Sequence, residues 1–266
     1  MRLRVALAFL TRLPVAGARV FGAAEVGSAT PWFPVAGALI GLCTLAGLRA
    51  AGLLVPGVPL LGAVLATAAT VWLTGALHQD ALADVVDALG AGGDRERALR
   101  IMRDSRIGAY AVAALVLALL LRVAVYTEIV AGRFGGAWVV AAACAGRYVA
   151  VPLAWRLPYA RREGGGLGRA ITDHVGATQL LGASAALVIC ASLALGAWPH
   201  VLAVVLTTLA IASWAGRHFS RWLGGVTGDA LGATTELVEL AVLVVGLVLE
   251  VAANRIPSAV LAGGWA

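Results

Sequence analysis

The sequence predicts an all-α fold, a polytopic integral membrane helical bundle of about seven spans. Three observations carry this. Of 266 residues, 61% are hydrophobic and 13% charged, against ~25% charged in an ordinary soluble domain. Mean hydropathy is +0.92. Several apolar runs also approach the ~20 residues that a helix needs to cross a ~30 Å hydrocarbon layer.

The elements follow in order. The opening stretch "MRLRVALAFLTRLPVAGA" has basic residues, a short apolar run and an A-x-A-like end, as a signal peptide does. Arg12 and Pro14 interrupt the run, so a retained surface or re-entrant segment is expected. Candidate spans then cover 32–54, 58–77, 108–130, 136–158, 177–197, 199–215 and 236–253, the sixth being the shortest. Pro31, Pro34, Pro56, Pro59 and Pro199 punctuate their ends. No internal repeat or low-complexity linker divides the chain, so residues 1–266 are expected to form a single integral membrane domain. Cys43, Cys144 and Cys190 lie far apart in apolar segments without a CxxC pair. They read as buried hydrophobes, not zinc ligands.

The basic residues are twenty arginines and no lysine. Fourteen of them fall in the N-terminal segment and in the connections 78–107, 159–176 and 216–235, which share one face if the seven spans alternate. Arg133 and Arg255 mark the other face. Arginine excess places the first face in the cytoplasm. A multi-pass protein of the cell (inner) membrane, with its C-terminus outside, is expected. The net charge of +6 needs no nucleic acid, since no aromatic–basic interleaving or finger spacing accompanies it.

Acid is concentrated in two places. In "LHQDALADVVDALG" (77–90), Asp80, Asp84 and Asp87 are spaced i, i+4, i+7, which puts them on one helix face within about 60°. Like charges on one face repel, so arginine or a hard divalent cation is expected to compensate them. A solvated helix face is the plainer alternative. In "RWLGGVTGDALGATTELVELAVL" (221–243), Asp229, Glu236 and Glu239 follow a glycine-rich turn. Acids that complement the helix dipole, with Thr234 or Thr235 as cap, are the plainer reading there. Glu239 lies deeper toward the apolar run, where an unpaired carboxylate is costly and so functional by default. Acids and arginines on one face suit a site for phosphate plus metal.

Other polar residues say less. "GGDRERALRIMRDSRIGAY" (92–110) supplies Arg103, Asp104, Ser105 and Arg106 just before a span, whereas Arg95 and Arg97 read as an exposed face. Arg147, inside a span, should meet protein, water or a carboxylate. His78 adjoins the acidic face as a base, a ligand or a helix-end hydrogen-bonding group. "REGGGLG" lacks the P-loop pattern. His174 and His218 join no triad. Arg122, Glu128 and Glu250 are expected to snorkel or to lie near span ends.

Several stretches, in order, resemble the cobalamin synthase family, the adenosylcobinamide-GDP ribazoletransferases. These are "FLTRLPV" (9–15), "WFPVAGALIG" (32–41), "LHQDALADVVDALGAGGDRERALRIMRDSRIGAY" (77–110), "PYARREGGGLG" (158–168) and "LGGVTGDALGATTELVE" (223–239). The resemblance implies transfer of the phosphocobinamide group of adenosylcobinamide-GDP to α-ribazole or its 5′-phosphate. GMP leaves, and Mg²⁺ is required. Asp80, Asp84 and Asp87 match the family's acidic triplet, Asp104, Ser105 and Arg106 its "DSRIG" segment, and Asp229, Glu236 and Glu239 its C-terminal acids. Ala81 and Ala88 stand where the family has glycine, and Val85 and Val86 replace a Thr-plus-small pair.

All six matched carboxylates are therefore expected as metal ligands. Asp84, Asp87, His78 and Arg106 are the expected catalytic groups. Arg103, Asp104, Ser105, Arg147, Thr227 and Gly228 are the expected substrate contacts. Other functions stay open: another membrane Mg-dependent phosphotransferase, a cation transporter, or a scaffold. The first usually shows a DGxxAR motif, absent here. The second predicts acids near mid-span on several helices. Homo-oligomerisation is open too.

Overall fold

The computed structural model describes residues 1–17, 19–161 and 167–255. Among these the chain is helical apart from one isolated bridge between Tyr159 and Val226. The helices are α1 (Arg2–Leu10), α2 (Ala23–Ala29), α3 (Phe33–Leu54), α4 (Pro59–Thr74), α5 (Leu77–Leu89) and α6 (Arg95–Ile101). They continue as α7 (Ala109–Val130), α8 (Ala137–Arg156), α9 (Leu167–Thr172), α10 (Ala177–Leu195), α11 (Trp198–Leu223) and α12 (Gly228–Arg255).

The membrane assignment holds, and the count of seven is corrected. Among the described residues, five helical segments are long and apolar enough to cross: Ala23–Leu54, which joins α2 to α3, then α7, α8, α10 and α11. Helices α4 and α5 meet the same length and hydropathy requirement only together, as one broken span bent by 87°. The expected straight span 58–77 fails at Gly75 and Ala76. Both adopt left-handed backbone, with φ of 67° and 57°. Two such residues in succession turn the chain sharply, and Ala76 is the one non-glycine residue of positive φ among the described residues. Arg12 sits over this corner, its N–H donating to the Leu73 carbonyl at 2.8 Å. The expected last span falls inside α12, which stands outside the five. The α11 helix runs to Leu223, well past the expected end at 215. Residues 162–166 of "REGGGLG" lie outside the described residues.

Helix α8 is the packing centre. Its apolar stretch is 89% buried in protein, against 17–39% for the other four segments. Between membrane helices the driving force is close packing, which small residues permit. "AWVVAAACAGRYVAV" supplies a surface of alanines. Gly37 and Gly41 of α3 lie directly against it. A Cβ at Gly37 would stand 2.3 Å from the Ala143 carbonyl oxygen, and one at Gly41 2.7 Å from Val140 Cα. The apolar faces turned away from α8, such as those bearing Leu117, Leu181 and Leu193, are exposed, as lipid-facing surface should be.

A second clamp joins the two connecting loops at one end of the bundle. Ala160 N–H donates to the Val226 carbonyl at 2.8 Å, and Val226 N–H to the Pro158 carbonyl at 2.9 Å. Gly225 makes this possible, since a Cβ there would lie 2.2 Å from the Pro158 carbonyl oxygen. Arg95, expected on an exposed face, instead donates to the carbonyls of Leu223 at 2.6 Å and Ala160 at 2.7 Å. It pins α6 onto the same clamp.

Two substitutions test this packing. Gly37→Ala is expected to destabilise the bundle by about 1–3 kcal/mol by forcing α3 off α8. Ala76→Gly is expected to stabilise it by about 1 kcal/mol, because glycine enters left-handed backbone without a Cβ clash. Unfolding by SDS titration in mixed micelles reads both, and shifts of the same sign would contradict the account.

Candidate active site

Helix α5 carries the acidic triplet, as the i, i+4, i+7 spacing predicts, but the three carboxylates do not share one task. Asp87 is turned to the start of α7. Its two oxygens accept the N–H groups of Gly108 at 2.6 Å and Ala111 at 2.8 Å. The first N–H groups of a helix have no partner within it, and an acid there also complements the dipole. Asp80 and Asp84 have no such partner. Asp84 lies close enough to Asp229 and Asp80 to feel both charges.

Helix α12 presents the second acidic cluster and divides it the same way. Thr227, not Thr234 or Thr235, caps this helix, accepting the Ala230 N–H at 3.1 Å. Thr234 and Thr235 donate back to the carbonyls of Ala230 and Leu231. Asp229 therefore sits in the first turn, where Arg161 donates to it at 2.7 Å. Glu236 and Glu239 point into the bundle and meet arginine. Arg122 of α7 binds Glu236 at 2.7 Å and also pairs with Glu239. Arg147 of α8 pairs with Glu239 from the other side. Gln79 of α5 donates to Glu236 at 2.9 Å. All four charged side chains are at most 5% exposed.

This network corrects two expectations. Arg122 does not snorkel; it is buried among four helices. Glu236 and Glu239, expected as metal ligands, already have guanidinium partners, as Asp87 has its N–H groups. Of the other span-end acids, Glu128 pairs with Arg133 at 2.6 Å, and Glu250 accepts from Gly135 N–H and Trp138 Nε1, each at 2.8 Å.

Beside the network opens a cavity of about 870 Å³, counted to its mouth. His78, Asp80, Arg147, Tyr159, Arg161, Asp229 and Thr235 supply its charged and polar lining, and Phe9, Phe33, Leu77 and Leu231 part of its apolar lining. Among the described residues, the buried Nε atoms of Arg147 and Arg161 have no hydrogen-bond partner. Such donors suit an anionic ligand. Gly228 lines the same cavity, whereas Thr227 is buried at the helix cap. Ala81 also lines it, and a Cβ on Gly232 would meet the Ala81 methyl at 2.6 Å. The methyl that distinguishes Ala81 from glycine thus packs in the crossing of α5 with α12.

The segment Arg103–Arg106 lies elsewhere. Asp104 and Arg106 line a shallow surface depression with Asp87 and Gly108, not the cavity. Arg106 grips Asp104 at 2.6 Å, and these hydrogen bonds hold the Asp104 carboxyl down to about 2. Arg103 and Ser105 are exposed. The cavity arginines are Arg147, which was expected, and Arg161, which was not. Arg122 and Gln79 were also missed. Arg122 carried a signal, a lone charge deep in an apolar run. Gln79 carried none.

Among the described residues, no three His, Cys, Asp or Glu side chains converge closely enough to enclose a metal by themselves. The donor set still fits a magnesium ion that reaches the site with its substrate. Such an ion keeps several waters and takes one or two carboxylates plus substrate phosphates, and Asp80 and Asp229 line one cavity with Asp84 beside them.

A helical membrane bundle with clustered acids, guanidinium groups and apolar surface around one cavity has the form of an integral membrane enzyme. The chain belongs to the Cobalamin-5-phosphate synthase family, whose pattern it matches over residues 2–247. It is 39% identical over 241 residues to an adenosylcobinamide-GDP ribazoletransferase of Syntrophobacter fumaroxidans, covering 90% of this chain and 94% of that one. It is 42% identical to the enzyme of that name from Pseudomonas entomophila (93% and 98% covered). Against the one from Pseudomonas putida strain GB-1 the identity is 43% (92% and 97% covered). No solved structure matches the chain.

The network predicts its own fragility. Arg122→Met leaves Glu236 without its guanidinium and Glu239 with one partner, and should cost about 3–5 kcal/mol. Adding Glu236→Gln should restore part of that loss. SDS unfolding of the single and double variants measures both, and an additive double variant would show that the two residues do not interact.

Proposed function

We propose that this protein transfers the phosphocobinamide group of adenosylcobinamide-GDP to α-ribazole or α-ribazole 5′-phosphate, releasing GMP. The observation that carries this reading is family membership across nearly the whole chain. The cavity supports it, because a diphosphate donor needs the cationic donors that Arg147 and Arg161 hold unpartnered. In the reaction, a ribose hydroxyl of the acceptor attacks the cobinamide-side phosphorus. The bond from that phosphorus to the GMP oxygen breaks, and the acceptor's proton passes to a cavity base. His78 and Asp84 are the candidates for that base. Arg147 and Arg161 balance charge on the phosphate oxygens. Asp80, Asp84 and Asp229 would hold Mg²⁺. When bound, that ion neutralises the diphosphate and stabilises the leaving phosphate. Asp87, Glu236 and Glu239 serve instead to hold α7 and α8 against α5 and α12.

Helix α12, 28 residues long, crosses the membrane as a further span. Residues 1–266 form one domain, and the arginine-rich end carrying the cavity faces the cytoplasm.

Purified protein in lipid, given adenosylcobinamide-GDP, α-ribazole and Mg²⁺, should release GMP and form cobalamin, and chelation should abolish both. Asp80→Asn and Asp84→Asn should each lower turnover by about 10²–10³-fold. Wild-type rates in both variants would remove the role assigned to these acids. Separately, fusion reporters within 90–94 and 173–176 should report a cytoplasmic location, and a periplasmic signal at either site would reverse the orientation.

A further inference from the structure

The sequence stretches "FLTRLPV" and "WFPVAGALIG" do no chemistry in the reaction above, yet each sends an aromatic ring into the cavity. Phe9 of α1 and Phe33 of α3 both line it. Their rings stack with centroids 5.5 Å apart and planes 14° from parallel. Phe33 is 1% exposed, whereas Phe9 is only partly covered. Leu10 and Leu77 extend the same lining. None of these side chains can form a hydrogen bond. The charged lining comes from other elements: α5 beyond Leu77, α8, the loop at Arg161, and the start of α12.

A cavity with an aromatic part and a charged part fits a ligand with a flat apolar group joined to a polar one. We infer that the Phe9–Phe33 stack is the subsite for the acceptor's base, so that α1 reads which base is attached. This rests on the transfer reaction proposed above, whose donor carries guanine, the adenine of its adenosyl group and the corrin ring, and whose acceptor carries one benzimidazole. Guanine and adenine, on the donor, both have polar nitrogen or oxygen groups along their edges, and the corrin ring, edged with amide side chains, is far broader than one phenylalanine face. Against phenylalanine and leucine those polar edges would be buried without partners, which disfavours binding. The base of α-ribazole is 5,6-dimethylbenzimidazole, whose carbocyclic edge carries two methyl groups and no polar group, and it gains from offset stacking on phenylalanine. With its base there, the acceptor's ribose is left to the polar side, where His78 and the acids lie.

The test uses the full-length protein in lipid. Phe9→Leu keeps the volume and loses the ring, and Phe33→Leu does the same on the buried partner. Each should raise the KM for α-ribazole about tenfold, which corresponds to ~1.4 kcal/mol, and leave the KM for adenosylcobinamide-GDP within about twofold. A rise in donor KM instead, or no change in either, would overturn the assignment. Equilibrium dialysis of wild-type protein with labelled α-ribazole needs neither a variant nor turnover. 5,6-Dimethylbenzimidazole should displace the label and guanosine should not; the reverse order would also overturn the assignment. Wild-type protein that binds α-ribazole in this way but forms no product would sink the transfer reaction and leave the subsite standing.

Discussion

Everything around the cavity depends on one buried interaction, the network of Arg122 and Arg147 with Glu236 and Glu239. It draws one charge pair from α12 and a guanidinium each from α7 and α8, while Gln79 ties in α5. None of these charges could remain alone in so apolar a setting. Because each requires the others, the four helices have little freedom to slide. The cavity is the space left beside this fixed point, and Arg147 belongs to both.

The acidic residues are consequently of two kinds. Glu236, Glu239 and Asp87 are satisfied within the protein and act as ties. Asp80, Asp84 and Asp229 stand close enough to repel, with partial relief from Arg161 and, at Asp229, from a Thr227 hydrogen bond. Leaving that repulsion in place is unfavourable for the protein alone. It becomes favourable once a cation and its phosphate arrive, which is the differential binding a diphosphate substrate would require. The clamp of Arg95, Gly225 and the Tyr159–Val226 bridge holds Arg161 and Asp229 at the same rim.

Much of this could be read from the chain. The apolar composition and run lengths are enough for a helical membrane protein, since only helices or closed barrels satisfy the backbone in lipid. The spacing of Asp80, Asp84 and Asp87 is enough for one helix. The break at Gly75–Ala76 could not be read, because alanine is a good helix former and nothing local signals its left-handed backbone. Nor could the pairing of Arg122 with residues more than a hundred positions later. Its burial was the missed clue, since a snorkelling arginine belongs near a span end and this one stands well inside.

The sequence by itself determined the membrane class, the helical face of the acids and the family to which the chain belongs. These depend on composition and on periodicities of a few residues, which are local properties. Only the tertiary structure decided which carboxylates are spent on structure and which remain for a ligand. It alone brought Phe9, Phe33 and Arg161 to the cavity that Asp80 lines. A side chain's partner depends on which helices cross and at what depth, and that is set by small residues such as Gly37, Gly41 and Gly232 meeting surfaces far away in the chain.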